Sequence, residues 1–195
     1  YRKKILIISS FILALISLIF PITLKRMFLQ TFKEFGFIDF FHGNFSSLKI
    51  FTTLHTSHYE IAFKMFQDNF LFGQGTKNFR FLCNEPKFNS TNIIESCSTH
   101  PHNIYIQLLA ETGIFGSLFF ISLFSYSLIL FFKSLKFDIT VNKEAVLVFQ
   151  IVIISLIINL WPFVPSNNFF NNWINVVYHL PIGFILYFYK KSTIK

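Results

Sequence analysis

Four long runs of apolar residues limit what this chain can fold into more than any other feature of its sequence. Each run has about the 20 residues that a helix needs to cross about 30 Å of hydrocarbon. Only 13% of the 195 residues are charged, whereas about a quarter are charged in soluble domains. The sequence therefore predicts an all-α integral membrane protein with four transmembrane helices, at residues 5–24, 113–132, 145–164 and 169–189.

The first and last apolar runs each have a feature that is unusual for a transmembrane helix. The first follows Arg2, Lys3 and Lys4, as in a secretory signal peptide. It is long for that role, and no small-residue cleavage site follows it, so we interpret it as a transmembrane helix. Asn171 and Asn172 dilute the opening of the fourth run. Because the first residue is tyrosine rather than methionine, we expect the chain to be a fragment of a larger multi-span protein.

Lysine and arginine are unevenly distributed between the segments that flank the runs. Segments 1–4, 133–144 and 190–195 carry nine of them against two acidic residues, whereas residues 25–112 carry eight against seven. Under the positive-inside rule, both termini and the 133–144 loop lie in the cytoplasm. Residues 25–112 then form one large loop on the opposite side, together with a short turn at 165–168. The net charge of +8 is therefore a signal of topology rather than of nucleic-acid binding.

The two cysteines, Cys83 and Cys97, both fall in this large loop. A disulfide between them would close about 15 residues and contribute roughly 3 kcal/mol in the chain-entropy model. Free thiols are an alternative. A metal site that combines the cysteines with His100 or His102 is another, although the spacing is not that of a zinc motif.

Residues 58–69 predict an amphipathic helix, which either packs on the transmembrane helices or lies in the membrane interface. Its apolar positions recur at three- and four-residue spacing: Ile61, Ala62, Met65 and Phe66. Such spacing is typical of a helix with one apolar face. Gly73 and Gly75 end that helix. They do not form a dinucleotide-binding motif, because a third glycine is missing.

Residues 99–113 concentrate polar, proton-handling side chains and continue without a break into the second apolar run. We expect a helix to begin near His102 or Asn103. On it, Asn103, Gln107 and Glu111 are four residues apart and line one face. His102 would lie at the helix N-terminus, where the helix dipole favours the neutral imidazole that a general base requires. From the residues alone, packing against other helices is the more frequent use of such a polar face.

Three motifs in this order carry a resemblance to a known family: Gly73-Gln74-Gly75, His102-Asn103 and Leu109-Ala110-Glu111-Thr112-Gly113. Over roughly residues 58–116, the sequence resembles the O-antigen ligase and polymerase family. These are bacterial inner-membrane proteins with many spans and one large periplasmic loop. The resemblance implies a GT-C-like fold, of which this chain is the C-terminal part, with residues 25–112 in the periplasm.

The resemblance also implies a reaction. Family members move a glycan from undecaprenyl diphosphate to an acceptor hydroxyl, which for a ligase lies on the lipid A core, and need no metal or other cofactor. An O-antigen or polysaccharide polymerase and a protein O-oligosaccharyltransferase are alternative functions. A membrane protein that only binds or transports lipid-linked glycan is the alternative outside enzymes. Nucleic acid is not an expected partner.

Within that resemblance, His102 matches the family histidine and is the candidate general base. Arg80 is the candidate for binding the diphosphate, with Lys77 assisting, because guanidinium pairs with phosphate in bidentate fashion. The family often has an arginine at the position of His58. His58 therefore either binds the anion as imidazolium or leaves that role to Arg80 or to a missing span.

Other polar residues of the region are expected to support the site. Asn103 orients the base or caps the helix, and Glu111 pairs with a cation or completes the polar face. We expect His100 to be supporting rather than catalytic. His42 and His55, in a poorly patterned segment, are predicted to be structural.

Overall fold

The computed structural model describes residues 2–19, 21–89 and 96–193. All regular elements within these residues are helices, as the predicted all-α class requires. The chain divides into two compact units, Tyr1–Thr53 and Leu54–Lys195. Residues 90–95 of the loop between the cysteines and the last two residues of the predicted cytoplasmic tail lie outside the described residues.

The first unit is a succession of short helical segments that follows one longer helix. Its elements are α1 (Arg2–Ile19), α2 (Pro21–Leu24), a π-helical segment (Lys25–Gln30), α3 (Thr31–Glu34), α4 (Phe37–Phe41) and a 3-10 turn (Phe45–Ser47). Its end folds back on the turn after α3, where Ser47 Oγ donates to Gly36 O at 2.8 Å and Lys49 N donates to Phe35 O at 3.0 Å. None of its described apolar side chains is buried.

The second unit contains the two helices that best match a membrane span. Its helices are α5 (Thr53–Asp68), α6 (Phe79–Leu82), α7 (Ile104–Ser134), α8 (Ile139–Asn159) and α9 (Asn172–Thr193). Among the described residues, α7 and the Asn142–Asn159 part of α8 are long and apolar enough to cross a bilayer. The apolar part of α1 is shorter, and α9 has polar residues along its first turns. The number of four transmembrane helices therefore stays a prediction.

The connection between α8 and α9 is longer than the sequence suggested. Helix α8 ends at Asn159 and α9 begins at Asn172, so a loop of residues 160–171 stands where a turn at 165–168 was expected. Pro162 and Pro165 lie in this loop, and proline has no N–H to continue a helix. The extra residues reach back over the start of α7.

Two apolar clusters stabilise the second unit, and α7 contributes to both. The larger cluster lies between α7, α8 and α9, with these side chains at most 1% exposed: Phe120, Phe149, Ile153, Leu156 and Leu160. The smaller cluster lies between α5, α6 and α7 and contains Ile61, Met65, Phe79, Cys83, Phe88 and Ala110. Helix α7 therefore holds the α5–α6 region and the α8–α9 pair to one scaffold.

Helix α7 is broken at Gly113, at the predicted boundary between the large loop and the second apolar run. Its φ of 65° and ψ of −162° are open in practice to glycine alone. A Cβ there would overlap the backbone of Leu71, and a Cβ at Gly73 would lie 2.5 Å from Thr112 N. Three backbone bonds of 2.9–3.0 Å join the two segments: Gln74 N to Ala110 O, Gly75 N to Glu111 O and Ile114 N to Phe70 O. The glycines of both motifs thus allow residues 70–75 to cross α7 in backbone contact.

Substituting Gly113 by alanine should destabilise the protein by about 3 kcal/mol or more, since it adds backbone strain and a clash with Leu71. Gly183, in α9, is the matched control, because a Cβ there meets no atom within 4 Å. Gly183→Ala should leave stability unchanged or raise it by up to about 1 kcal/mol. Thermal unfolding of the full-length protein in detergent measures both. Equal unfolding temperatures for the two variants would contradict the role given to the crossing.

Candidate functional site

A polar cavity of about 640 Å³ opens in the second unit between three segments of the chain. This volume lies in the range of about 300–1,000 Å³ that is typical of ligand sites. Lys77 and Arg80 form its cationic wall, and Thr99 and His100 form its second side. The third side, here named the amide wall, consists of Asn167, Asn168, Phe170, Asn171, Asn172, Trp173 and Ile174.

A buried pair of side chains on α7 connects the cationic wall to the amide wall. Gln107 and Glu111 lie on one helix face and are at most 1% exposed. Glu111 Oε1 accepts the backbone N–H of Phe79 at 2.9 Å, at the start of α6. Gln107 Oε1 accepts the backbone N–H of Phe169, and its Nε2 donates to Asn168 Oδ1, both at 2.9 Å. Because Gln107 also donates to Glu111 Oε2 at 3.0 Å, the two loops are held by one hydrogen-bonded unit.

The start of α7 is fixed to the 160–171 loop by further hydrogen bonds. Asn103 caps the helix, since its Oδ1 accepts the N–H groups of Tyr105 and Ile106 at 3.0 and 3.2 Å. Three bonds of 2.6–2.9 Å then reach the loop: Tyr105 OH to Leu160 O, Asn103 Nδ2 to Pro162 O and Ser166 N to His102 O. Of the two roles expected for Asn103, helix capping is the one that the structure shows.

Four histidines gather beside the cavity. The ring centroid of His102 lies 4.3 Å from that of His100, 5.5 Å from His58 and 5.8 Å from His55. His100 lines the cavity, whereas His58 is buried on α5. Within the described residues, no group of histidine, cysteine, aspartate or glutamate side chains fits a metal site. The rings of the cluster meet edge-on or tilted, at interplanar angles of 86°, 34° and 49° between His102 and His55, His58 and His100.

Both ring nitrogens of His100 are engaged by the protein. Nε2 lies 3.3 Å from the carbonyl of Ser166, which can only accept, so Nε2 carries the hydrogen. The hydroxyl of Thr99 lies 2.9 Å from Nδ1 and donates to it. Burial, followed by the nearby charge of His102, lowers the pKa of His100 to about 4. His100 is thus neutral at physiological pH, with its lone pair occupied.

His102 differs from His100 in that only one of its ring nitrogens, Nε2, is hydrogen-bonded within the described part of the chain. The hydroxyl of Ser98 donates to the carbonyl of His100 at 2.7 Å, so towards His102 Nε2, at 3.2 Å, it can only accept. Nε2 therefore carries the hydrogen, and Nδ1 holds the lone pair. Burial and the neighbouring His55 lower the pKa of His102. Burial, the larger cause, therefore acts in the direction of the neutral form that the sequence predicts, whereas the helix dipole is not among the causes.

Two residues of the site hold a backbone conformation that is rare outside glycine. Lys77 and His102, with φ of 62° and 58°, are the only non-glycine residues with positive φ in the described part of the chain. Residues held in this region cost energy, and they cluster at functional sites. The hydrogen bonds around Phe79 and Ser166 supply the constraint that keeps both residues in place.

The structure brings together most of the residues that the sequence singled out. Lys77, Arg80 and His100 line the cavity, and His102 contacts His100. Glu111 and Asn103 are instead buried and bonded within the protein, which gives them positioning roles. Cys83 and Cys97 form a disulfide with Cα atoms 5.3 Å apart, a spacing typical of such bonds. The disulfide ties the end of α6, beside the cationic wall, to the segment that leads to His100.

Two parts of the site were not expected from the sequence. His55 had been assigned a structural role, but α5 begins at Thr53, and residues three apart on a helix share a face, so His55 joins His58. Of the amide wall, the sequence singles out only Asn171 and Asn172, as polar residues at the start of the fourth apolar run. In each case, polar side chains near the start of a helix, α5 or α9, could have indicated the site, because the apolar pattern does not account for them.

The model of a protein family described as O-antigen ligase matches residues 1–121 of the chain. The match includes the cationic wall, the histidine cluster and the buried Gln107–Glu111 pair, and it ends before the amide wall. No curated protein matches the sequence, and no solved structure does so.

Replacing Gln107 by leucine should lower the free energy of unfolding by about 2–4 kcal/mol, since it leaves the Phe169 N–H and a Glu111 oxygen unsatisfied in a buried place. Gln150→Leu is the matched control. Gln150 lies on α8, is only half-buried, and donates one bond, to Ser134 O at 3.2 Å. Gln150→Leu should lower the free energy of unfolding by less than about 1.5 kcal/mol. Unfolding of the full-length protein in detergent distinguishes them, and an equal loss would contradict the bridging role.

Acidification should destabilise the fold through His100. Its pKa is about 4 in the folded protein, below the ordinary value of 6.5 that it regains on unfolding. The His100 contribution is therefore fully present above pH 6.5 and is lost as the pH falls towards 4. At about pH 5, unfolding of His100→Asn should take up about one proton fewer than unfolding of the wild type. The slope of unfolding free energy against pH measures this, and identical slopes would contradict a neutral His100.

Proposed function

Because the chain belongs to the O-antigen ligase family, we propose that it moves a glycan from undecaprenyl diphosphate to an acceptor hydroxyl on the lipid A core. The family consists of membrane glycosyltransferases and ligases. The observation that carries the proposal is that Lys77 and Arg80 share one cavity with His100, whose ring lies 4.3 Å, centroid to centroid, from that of His102. An anion site beside a free imidazole is what transfer from a lipid diphosphate requires.

The cationic wall suits the leaving group. As the bond between sugar C1 and the diphosphate oxygen breaks, negative charge develops on the diphosphate, and fixed cations stabilise it. Arg80 pairs with phosphate in bidentate fashion, and Lys77 adds a point charge. Lys87 is paired with Asp68, whereas Lys77 and Arg80 form no ion pair with any described acidic residue. Both are therefore available to a ligand.

His102 is the proposed general base. The acceptor oxygen attacks C1 of the donor sugar, and its proton passes to Nδ1 of His102, the nitrogen with the lone pair. Undecaprenyl diphosphate leaves as the anion held by Arg80 and Lys77. The imidazolium then returns its proton to water. His100, whose two nitrogens are engaged, positions the ring of His102.

The departure from the family at position 58 fits this arrangement. His58 is buried and faces His102 rather than the cavity, so it is poorly placed to hold an anion. We therefore assign the cationic role to Arg80. His55 helps to lower the pKa of His102, and His58 helps to lower that of His100.

The membrane setting supports a reaction at the periplasmic face of the bacterial inner membrane. Helix α7 is long and apolar enough to cross the bilayer, and the site lies at its beginning. Its other end leads into the lysine-rich 133–144 loop, which the positive-inside rule places in the cytoplasm. The site then opens on the periplasmic side, where an activated lipid diphosphate is a glycan donor that needs no nucleotide.

Replacing His102 by alanine should reduce glycan transfer at least about 100-fold, because general-base catalysis is lost. His42→Ala is the control: His42 is exposed, outside the site, and bonded to Ile38 O at 2.7 Å, and its loss should leave the rate unchanged. Transfer is measured in membranes with equal amounts of each variant, from undecaprenyl-diphosphate-linked glycan to lipid A core.

The outcomes separate the alternatives. Retained transfer in the His102→Ala variant would overturn the assignment of the base. Binding of the donor with no turnover on any acceptor would indicate a glycan-binding protein instead of an enzyme. In a deletion strain, loss of long-chain lipopolysaccharide with polymer accumulating on undecaprenyl diphosphate supports a ligase. Core capped by single repeat units would instead identify a polymerase.

A further inference from the structure

The amide wall combines several carboxamides with one highly exposed indole. Four asparagines line this side of the cavity: Asn167, Asn168, Asn171 and Asn172. Trp173 follows them and is 83% exposed. The wall shares its cavity with the cationic wall, and its residues lie beyond those that the family match covers.

Two of the four asparagine side chains are hydrogen-bonded within the protein and shape the local backbone. Asn168 Oδ1 accepts from Gln107 and from the backbone N–H of Phe170, and so it shapes the loop. Asn171 Oδ1 accepts the N–H of Trp173 at 3.1 Å and caps α9. Asn167 and Asn172 are exposed on the cavity, and neither side chain makes a hydrogen bond to the described part of the protein.

The chemistry of the remaining groups fits a sugar ring. Each carboxamide offers one acceptor oxygen and two N–H donors, which complement hydroxyls that both donate and accept. An indole face is apolar and electron-rich, so it packs against the C–H face of a pyranose. The amide wall carries no charge, and it therefore favours a neutral ligand on its side of the cavity.

We propose that Asn167, Asn172 and Trp173 bind the first sugar of the donor glycan, the pyranose that is attached to the diphosphate. This inference rests on the proposed function. The donor is the source of this sugar because the amide wall shares one cavity with Lys77 and Arg80, and the first sugar is bonded directly to the diphosphate that those cations hold. An acceptor sugar has no diphosphate that would tie it to this cavity.

Exposed tryptophans at helix ends also serve as membrane-interface anchors. The second tryptophan of this chain, Trp161, provides the comparison. It is 46% exposed, packs edge-on against Phe124 at 5.9 Å, and does not line the cavity. The two tryptophans therefore separate anchoring from ligand contact.

The test measures binding of two lipids to the full-length protein in nanodiscs, without acceptor. One is undecaprenyl diphosphate, and the other is undecaprenyl-diphosphate-linked glycan purified from cells that lack the protein. Asn167→Ala, Asn172→Ala and Trp173→Ala should each weaken binding of the glycan-bearing lipid about 5- to 10-fold and leave the Kd for undecaprenyl diphosphate unchanged.

Two further sets of variants make the result specific. Arg80→Ala should weaken binding of both lipids, because it removes the diphosphate contact. Asn159→Ala, which removes an exposed carboxamide of α8 bonded to Ser155 O, and Trp161→Ala should change neither.

The subsite and the proposed function fail in different ways. If Arg80→Ala weakens both lipids but the three amide-wall variants bind the glycan-bearing lipid like the wild type, the subsite is overturned and the function stands. An equal loss of both lipids in Trp173→Ala would identify a membrane anchor and also overturn the subsite. If the wild type binds neither lipid, the proposed function falls together with the subsite.

Discussion

Glu111 and Gln107, four residues apart on α7, accept hydrogen bonds from backbone N–H groups that are 32 and 62 residues away along the chain. Buried polar groups are costly unless satisfied, so each loop that bonds to this pair relieves a penalty and is fixed in return. Glu111 holds the start of α6, and with it the cationic wall. Gln107 holds the 160–171 loop that becomes the amide wall. Without these hydrogen bonds, the distance between the cationic wall and the amide wall would not be fixed.

The glycine crossing makes that arrangement possible. Residues 70–75 can reach α7 only because neither Gly73 nor Gly113 presents a Cβ at the contact. The crossing brings the Lys77 to Arg80 stretch alongside the polar face of α7, and the disulfide between Cys83 and Cys97 fixes its far end. The backbone bonds of the crossing therefore hold the segment that carries the cationic wall against α7. The bond from Phe79 N to the Glu111 carboxylate then fixes the start of α6, next to Arg80.

In the histidine cluster, the charged form of two imidazoles is disfavoured although Lys77 and Arg80 lie on the same cavity as His100. Burial and neighbouring imidazoles act in the same direction on His100 and His102, since both disfavour the charged form. Hydrogen bonds then divide the roles: Thr99 and Ser166 occupy both nitrogens of His100, whereas Ser98 fixes the tautomer of His102. The strained φ of His102 belongs to the same arrangement, because its carbonyl is held by Ser166 N.

The sequence alone determined the helical class and placed the start of the helix near His102 or Asn103, because apolar periodicity and capping act over a few residues. Its motifs also indicated the family and led to Lys77, Arg80, His100 and His102. Only the tertiary structure decided the break at Gly113, the joining of His55 to the cluster, the positioning roles of Gln107 and Glu111, and the existence of the amide wall. These features depend on contacts between segments that lie far apart in the chain. No local pattern encodes which buried polar group will meet which loop.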